Sequence, residues 1–290
     1  MMAQRRPRIY DDRACALGEG PLWHPERGQL FWCDIVGQAI LGRDGDAALR
    51  WDWDEPVSAL GWIDRDRLLA VSASGFFQVD LADGARTRLA NLEADDPGTR
   101  SNDGRADPLG GFWVGTMGRG AEPGRGAIYR YFRGEVRPLY EGVTIPNAIC
   151  FAPDGDVAYF ADTAKGVVWR QRIDRAGWPS GEAEPFVDFS GVGLAPDGAV
   201  CDADGNVWIA QWGAWRVACH GPDGRFRGAL DLGAAQVTCP AFGGGDLREM
   251  FVTSARTGLA DPHAPQHAEA GCTWAARLDV AGQPEHRVVP

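Results

Sequence analysis

The sequence lacks any run of about 18 apolar residues, the length that a membrane-spanning helix needs. Its first residues, MMAQRRPRIYDD, include basic side chains but are not followed by the apolar stretch of a secretory signal. These absences exclude a membrane partner and predict a cytoplasmic protein.

Paired cysteines and basic clusters are also absent. The seven cysteines are odd in number, scattered and never form C-x-x-C, which argues against a disulfide framework or a thiolate zinc site. His263 and His267 are four residues apart, but Pro265 between them prevents the helix that would aim both at one ion. With 40 acidic against 29 basic residues the net charge is −11, which excludes nucleic acid as a partner.

No segment shows a sustained helical period, whereas 39 Gly, 19 Pro and 12 Trp favour short strands and tight turns. Apolar, aromatic-rich segments instead recur from positions 28, 67, 110, 155, 205 and 246, a period of 39 to 50 residues. The six copies are GQLFWCDI, RLLAVSA, GGFWVGTM, GDVAYFADT, GNVWIAQW and DLREMFVTSA. Such a period provides four short strands per repeat. The sequence therefore predicts an all-β fold, a six-bladed β-propeller with a central channel, as one domain over residues 1–290.

Both ends of the chain resemble strands. The segments RPRIYDDRA and EHRVVP have strand-like composition. Because a closed ring leaves fewer exposed sheet edges, we expect the two ends to share one blade.

Aligning the copies by their turn glycines brings polar residues into register. Eight or nine residues before Gly28, Gly111, Gly155 and Gly205 stand Glu19, Asn102 followed by Asp103, Asn147 and Asp197. The remaining two blades have Ser58 and Thr238 near this position. The start of each innermost strand faces the axis at one end of the channel, so these side chains are predicted to converge there.

The predicted ring contains carboxylates and amides but no lysine at the same spacing. Such a cluster repels itself unless a cation or protons neutralise it. Oxygen ligands favour Ca²⁺, Mg²⁺ or Mn²⁺, although carboxylates also bind Zn²⁺ and Fe(II). Three ligands, Glu19, Asn147 and Asp197, would leave open positions, as in a catalytic site. Each also has a plainer interpretation, because Asp197 lies in a Pro-Asp-Gly turn motif, Glu19 stands between glycines, and Asn147 follows a proline.

With those residues identified, the chain resembles the family of senescence marker protein 30, gluconolactonase and luciferin-regenerating enzyme across nearly its whole length. The motifs are LGEGPLWHPERGQLFWCDI, RSNDGRADPLGGFWVGTM, IPNAICFAPDG and LAPDGAVCDADGNVWIAQWGAWRV. The resemblance implies a six-bladed propeller with one divalent metal on Glu19, Asn147 and Asp197. It also implies substrate contacts from Arg100 and Asn102, with Asp103 adjacent.

Residues 117–126 occupy the place where relatives have a lid over the channel. Glu122 in this loop is a candidate contact to a sugar hydroxyl, or a solvated side chain. Trp212 and Trp215 are candidates for stacking on a sugar ring, or buried blade aromatics.

The resemblance favours metal-dependent hydrolysis of a sugar lactone to an aldonic acid, in a monomer or small homo-oligomer. Asp197 would act as general base while the metal polarises the carbonyl. An organophosphate or other ester hydrolase on the same site is an alternative. A calcium-binding propeller without catalysis is another, because a fold alone does not establish a function.

Overall fold

The protein, for which we analyse a computed structural model, consists of β-strands arranged in six four-stranded sheets. The structure describes residues 6–290, and within them there is one 3₁₀ turn at Pro265–His267 and no α-helix. Residues 1–5, part of the basic N-terminal segment considered above, lie outside the described residues. No helix in the described range is long and apolar enough to cross a membrane.

Each sheet is one blade of the propeller, and the strands are numbered along the chain. The first strand is β1 (Arg8–Asp11). Blade 1 comprises β2 (Gly18–His24), β3 (Gln29–Asp34), β4 (Ala39–Asp44) and β5 (Ala47–Asp52). Blade 2 comprises β6 (Val57–Asp64), β7 (Arg67–Ser72), β8 (Gly75–Asp80) and β9 (Arg86–Asn91). Blade 3 comprises β10 (Thr99–Ala106), β11 (Phe112–Gly118), β12 (Gly126–Phe132) and β13 (Glu135–Val143).

The second half of the chain repeats this plan. Blade 4 comprises β14 (Pro146–Phe151), β15 (Val157–Asp162), β16 (Val167–Arg172) and β17 (Glu184–Asp188). Blade 5 comprises β18 (Ala195–Cys201), β19 (Val207–Trp212), β20 (Arg216–His220) and β21 (Phe226–Asp231). Blade 6 contains β22 (Val237–Gly243), β23 (Glu249–Ser254) and β24 (Thr273–Arg277). The predicted six-bladed propeller is thus confirmed, and the six repeated segments form the second strand of each blade.

The ring is closed by the N-terminal strand, as predicted, but not by the C-terminal segment. β1 pairs antiparallel with β24, so blade 6 has the strand order β1-β24-β23-β22. The prediction that EHRVVP shares this blade is wrong. Val288 N instead donates to Trp62 O at 2.9 Å, and Val289 N donates to Gly110 O at 2.8 Å. The segment therefore crosses the end of the channel where the innermost strands finish, because backbone groups left there need partners.

The apolar core consists of six clusters, one at each junction between neighbouring blades. Trp32, Trp113 and Trp208 each lie in the second strand of their blade and are fully buried. Large aromatic side chains at these junctions remove much apolar surface from water, which holds the blades at fixed angles. The channel mouth is therefore built on a rigid frame.

Every innermost strand has a break in its pairing register near its start. In blade 1 the break lies between Glu19 and Leu22, and in blade 4 between Asn147 and Cys150. The other four innermost strands have a break at the corresponding point. A β-bulge bends its strand and redirects a side chain, so one repeated irregularity orients all six starts alike.

Candidate active site at the channel mouth

A cavity of about 390 Å³ opens where the innermost strands begin. Its lining includes Glu19, Asn102, Asn147 and Asp197, which come from four different blades. These are the side chains that the alignment placed together. Ser58 and Thr238 occupy the same ring outside the lining, where Ser58 Oγ donates to Ser101 Oγ at 2.7 Å and Thr238 Oγ1 donates to Gly18 O at 2.6 Å.

The backbone turns sharply after two of these residues. Gly20 and Ala148, which follow Glu19 and Asn147, have φ angles of 53° and 55°, in the left-handed region. A Cβ on Gly20 would lie 2.5 Å from Ser58 O, so only glycine fits there. Ala148 adopts the same conformation at a cost, because L-residues with a side chain avoid this region. The dipeptides Glu19-Gly20 and Asn147-Ala148 thus mark the bulges of blades 1 and 4 in the sequence.

A continuous chain of hydrogen bonds crosses the polar side of the cavity. Arg100 Nη1 donates to Asn102 Oδ1 at 2.8 Å, and Asn102 Nδ2 donates to Asn147 Oδ1 at 3.0 Å. Asn147 Nδ2 then donates to Thr163 Oγ1 at 2.8 Å, and Thr163 Oγ1 donates to Pro196 O at 2.6 Å. These bonds fix the amide orientation of Asn147, so that its oxygen is on the side of Asn102 and its nitrogen on the side of Thr163.

Two buried carboxyl groups, those of Glu19 and Asp197, meet in the cavity. Burial, reinforced by the charges of Asp197 and Asp103, raises the pKa of Glu19 well above its usual value. Burial and the charge of Asp103 likewise raise the pKa of Asp197, whose side chain hydrogen-bonds with Glu19. Arg100 is the nearby positive group, and burial lowers its pKa to about 10. The pair therefore has to carry protons or accept a cation.

These features fit a hard divalent cation. Glu19 and Asp197 offer carboxylate oxygens, and Asn147 Oδ1 has a second lone pair beyond the one used by Asn102. Such a set suits oxygen-preferring ions and supplies three of the six or more ligands they take. Among the described residues no group of three or more His, Cys, Asp or Glu is arranged for metal binding, so the fit rests on this mixed set of two carboxylates and an amide.

Asp103 lies beside the cavity but not in its lining. Its Oδ2 accepts a hydrogen bond of 2.7 Å from Ile149 N, and burial raises its pKa to about 6. The structure thus gives this carboxylate a backbone partner in the next blade. Its negative charge raises the pKa of both Glu19 and Asp197, which line the cavity.

Glu122 is exposed and does not line the cavity. Its Oε2 accepts a hydrogen bond of 3.1 Å from Gly120 N, so the side chain folds back on its own loop. Neighbouring Ala121, with a φ of 56°, lines the cavity instead. Residues 117–126 therefore reach the mouth, as the lid interpretation expects, through Met117 and Ala121.

The two candidate stacking residues are separated. Trp212 lines the cavity, whereas Trp215 stacks on His267 with ring centroids 5.7 Å apart. His267 is thus in an aromatic contact with the blade-5 loop. All seven cysteines are free and buried, in agreement with the absence of a disulfide framework.

Sequence reasoning missed half of the lining. Thr163 follows the second strand of blade 4, and Met117 is near the end of that of blade 3. They lie at the same level as Trp212, the candidate stacking residue that ends the second strand of blade 5. Aligning the ends of the second strands, rather than only the starts of the innermost ones, would have found Thr163 and Met117. Leu17, Ile145 and Thr257 lie in connecting segments, whose positions the sequence repeat does not predict.

Comparisons with known proteins agree over nearly the whole chain. A family model described as "SMP-30/Gluconolactonase/LRE-like region" matches residues 17–256. A protein of Rhizobium meliloti (strain 1021), provisionally named sugar lactone lactonase, is 40% identical over 283 residues, 94% of this chain and 96% of that protein. L-arabinolactonase of Azospirillum brasilense is 34% identical and covers 94% of this chain and 92% of its own. The solved structure of a calcium-binding protein, regucalcin, from Agrobacterium tumefaciens str. C58 has a TM-score of 0.95 and 38% identity, and covers 100% of this chain and 98% of that one.

Proposed function

Because this chain belongs to the SMP-30/gluconolactonase/LRE-like family, we propose that it hydrolyses a sugar lactone to an aldonic acid, with a divalent cation held by Glu19, Asn147 and Asp197. The observation that carries the proposal is the convergence of these residues from three blades on one cavity that also contains Arg100 and Asn102. The relatives named as lactonases, including an L-arabinolactonase, support the reaction class.

Each side chain has a distinct role in the proposed reaction. A cation in the site supplies a Lewis acid, which polarises a carbonyl and lowers the pKa of water. Asp197 accepts the proton of the attacking water, a role suited to a carboxylate that lines the cavity beside Arg100 and Asn102. Arg100 and Asn102 orient the lactone through polar groups near its ring, and Asn102 also holds Asn147 in place. Opening a lactone needs no covalent enzyme intermediate.

The experiment that tests this function combines metal removal with a substrate screen. Protein dialysed against a chelator is reconstituted separately with Ca²⁺, Mg²⁺, Mn²⁺, Zn²⁺ and Fe(II), and acid release from aldonolactones is followed with a pH indicator. We expect lactone opening above the buffer rate with at least one ion and none after chelation. Preferential cleavage of a phosphotriester in the same assay would favour an organophosphate hydrolase instead.

The role of Asp197 is tested by Asp197→Asn. We expect the turnover number to fall by about 10² to 10⁴, because a general base usually contributes that much. Asp204→Asn is the matched control, since this exposed aspartate belongs to the same blade at the turn after the other end of β18. Unchanged turnover in a folded Asp197→Asn variant would remove Asp197 from the mechanism.

A binding protein without catalysis is the second candidate, favoured by one observation. A solved structure with a TM-score of 0.95 to this chain is named a calcium-binding protein. Under this alternative, calcium would bind and raise the melting temperature while no aldonolactone opens faster than in buffer. Any metal-dependent lactone opening by the purified protein would contradict it.

A further inference from the structure

The cavity has two zones of different chemistry. The polar floor is the cation-binding set together with Arg100 and Asn102. The rest of the lining, apart from Thr163 between the two zones, forms what we call the apolar collar, and most of its side chains are hydrocarbon or aromatic. The collar consists of Leu17, Met117, Ala121, Ile145, Trp212 and Thr257.

The hydroxyl groups near the collar are already engaged. Thr257 Oγ1 donates to Ala16 O at 2.8 Å. Thr163 Oγ1 donates to Pro196 O and accepts from Asn147 Nδ2. The ring of Trp212 packs against Gly258, and its indole N–H is the side-chain donor that the collar offers. A ligand group held by the collar therefore meets carbon surface on most sides.

This distribution favours one kind of substrate over another. A hydroxyl placed in the collar leaves water without gaining an equivalent partner, which is unfavourable. A methyl group in the same place loses only unfavourable contact with water. The carbonyl and ring hydroxyls of a lactone match the polar floor, which would leave the far end of the carbon chain to contact the collar.

We propose that the substrate is a terminally deoxygenated sugar lactone, in which the last carbon is a methyl group rather than a hydroxymethyl group. The inference rests on the proposed lactonase function and specifies its substrate class. The polar floor then binds the reacting end, and the collar binds the methyl end and limits the access of water from the mouth. Size agrees, because a cavity of about 390 Å³ lies in the range of small-ligand sites.

The test uses pairs of lactones that differ by one terminal hydroxyl. These are L-rhamnono-γ-lactone with L-mannono-γ-lactone, L-fucono-γ-lactone with L-galactono-γ-lactone, and D-fucono-γ-lactone with D-galactono-γ-lactone. We expect kcat/KM to be at least about tenfold higher for the deoxy member of any pair that is hydrolysed, in line with what an apolar pocket discriminates. Equal or lower kcat/KM for the deoxy members would overturn the inference and leave the lactonase function standing.

A binding measurement separates this inference from the function itself. Calorimetry with the matched anhydroalditols, which have the ring but no carbonyl to hydrolyse, reports the preference of the collar alone. Tighter binding of the deoxy ring supports the inference even if no lactone is opened, an outcome that would count against the proposed function. Equal binding of both rings would overturn it.

The variants Ile145→Thr and Ile145→Val test whether the preference for deoxy lactones arises in the collar. Both shorten the side chain, but only threonine adds a hydroxyl. The backbone of Ile145 is fixed in either case, since its N–H donates to Asp162 Oδ1 at 3.0 Å and its carbonyl accepts from Thr163 N at 2.9 Å. We expect Ile145→Thr to reduce the deoxy preference at least about fivefold relative to Ile145→Val. The same deoxy preference in both variants would contradict the proposal that the apolar collar selects the methyl group.

Discussion

The side-chain nitrogen of Asn102 donates a hydrogen bond of 3.0 Å to the side-chain oxygen of Asn147, and this bond joins blades 3 and 4 at the proposed cation site. Asn102 also accepts from Arg100 and donates to Pro146 O at 3.0 Å. It therefore connects a proposed substrate contact to a proposed metal ligand, and a change at Asn102 should affect both.

We expect Asn102→Leu to lower both metal affinity and kcat/KM by about 10- to 100-fold. The substitution has nearly the same volume and adds no charge beside the cation site, but it removes the donor to Asn147 Oδ1, and a lost buried hydrogen bond costs about 1 to 3 kcal/mol. Metal titration by calorimetry and steady-state kinetics check this. Ser58→Ala, at the same ring position but outside the cavity, should leave both unchanged. Loss of less than threefold in the Leu variant would mean that the Asn102 bond does not position Asn147.

Gly20→Ala should destabilise the fold by more than about 2 kcal/mol and reduce turnover. The new Cβ would lie 2.5 Å from Ser58 O, in addition to the strain of a φ of 53°. Gly45→Ala is the matched control, because φ is 56° there and a Cβ would meet nothing within 4 Å. That control should cost about 1 kcal/mol and leave turnover intact. If both variants lose the same free energy of unfolding in urea, backbone strain alone, without the clash with Ser58 O, accounts for the destabilisation.

Glu285→Gln should reduce the free energy of unfolding by about 3 to 5 kcal/mol, because it leaves a buried guanidinium without its charge partner. Arg105 and Glu285 form an ion pair in which both side chains are buried, and the charge of Glu285 opposes the lowering of the Arg105 pKa by burial. The double variant Arg105→Met/Glu285→Leu should recover most of the loss. Urea unfolding measures both, and a loss below about 1 kcal/mol in the single variant would be inconsistent with a desolvated pair.

Stability should fall as the pH drops from about 6.5 toward about 4, in part because of His220. Burial between Phe189 and Phe226 lowers the pKa of His220 to about 4, from an ordinary value of 6.5. Within this window the unfolded chain binds a proton that the folded chain does not, so unfolding becomes more favourable as the pH falls. Below the folded pKa both states are protonated and the contribution levels off.

His220→Phe should therefore flatten this dependence, reducing the stability lost between about pH 8 and about pH 5 by roughly 1 to 2 kcal/mol. Urea unfolding at the two pH values measures the difference. His263→Gln is the control. Because His263 is exposed, its substitution should leave the pH dependence of stability as it is in the parent protein. A slope unchanged by His220→Phe would show that other groups account for the acid sensitivity.

The sequence was sufficient for the architecture and for the polar floor. A propeller repeats its turns at a constant distance from the start of each innermost strand, so Gly28, Gly155 and Gly205 locate Glu19, Asn147 and Asp197 without any contact information. The orientation of Asn147 was not accessible in this way. It depends on Asn102 in the neighbouring blade and on Thr163 just after the adjacent strand, and side-chain contacts between strands leave no local pattern in the sequence.

The errors and omissions arise where the repeat ends. EHRVVP has the composition of a strand, but a strand needs an available edge, and β1 already occupies the edge of β24. Its backbone groups bind Trp62 O and Gly110 O instead. Leu17 and Ile145 were not predicted to line the cavity, because the path of a connecting segment is set by what it packs against rather than by periodicity.

The pairing of β1 with β24 also has a kinetic consequence. Arg8 lies opposite Ala275, so the last blade joins segments from nearly opposite ends of the chain. Contacts of such sequence separation carry a large loop-closure entropy and form late. We therefore expect five blades to assemble from neighbouring hairpins and the ring to stay open until the sixth blade pairs with β1. Refolding should therefore show a slow final phase in the fluorescence of Trp274, which pairs with Ile9, and an excess of β1 peptide should compete with it.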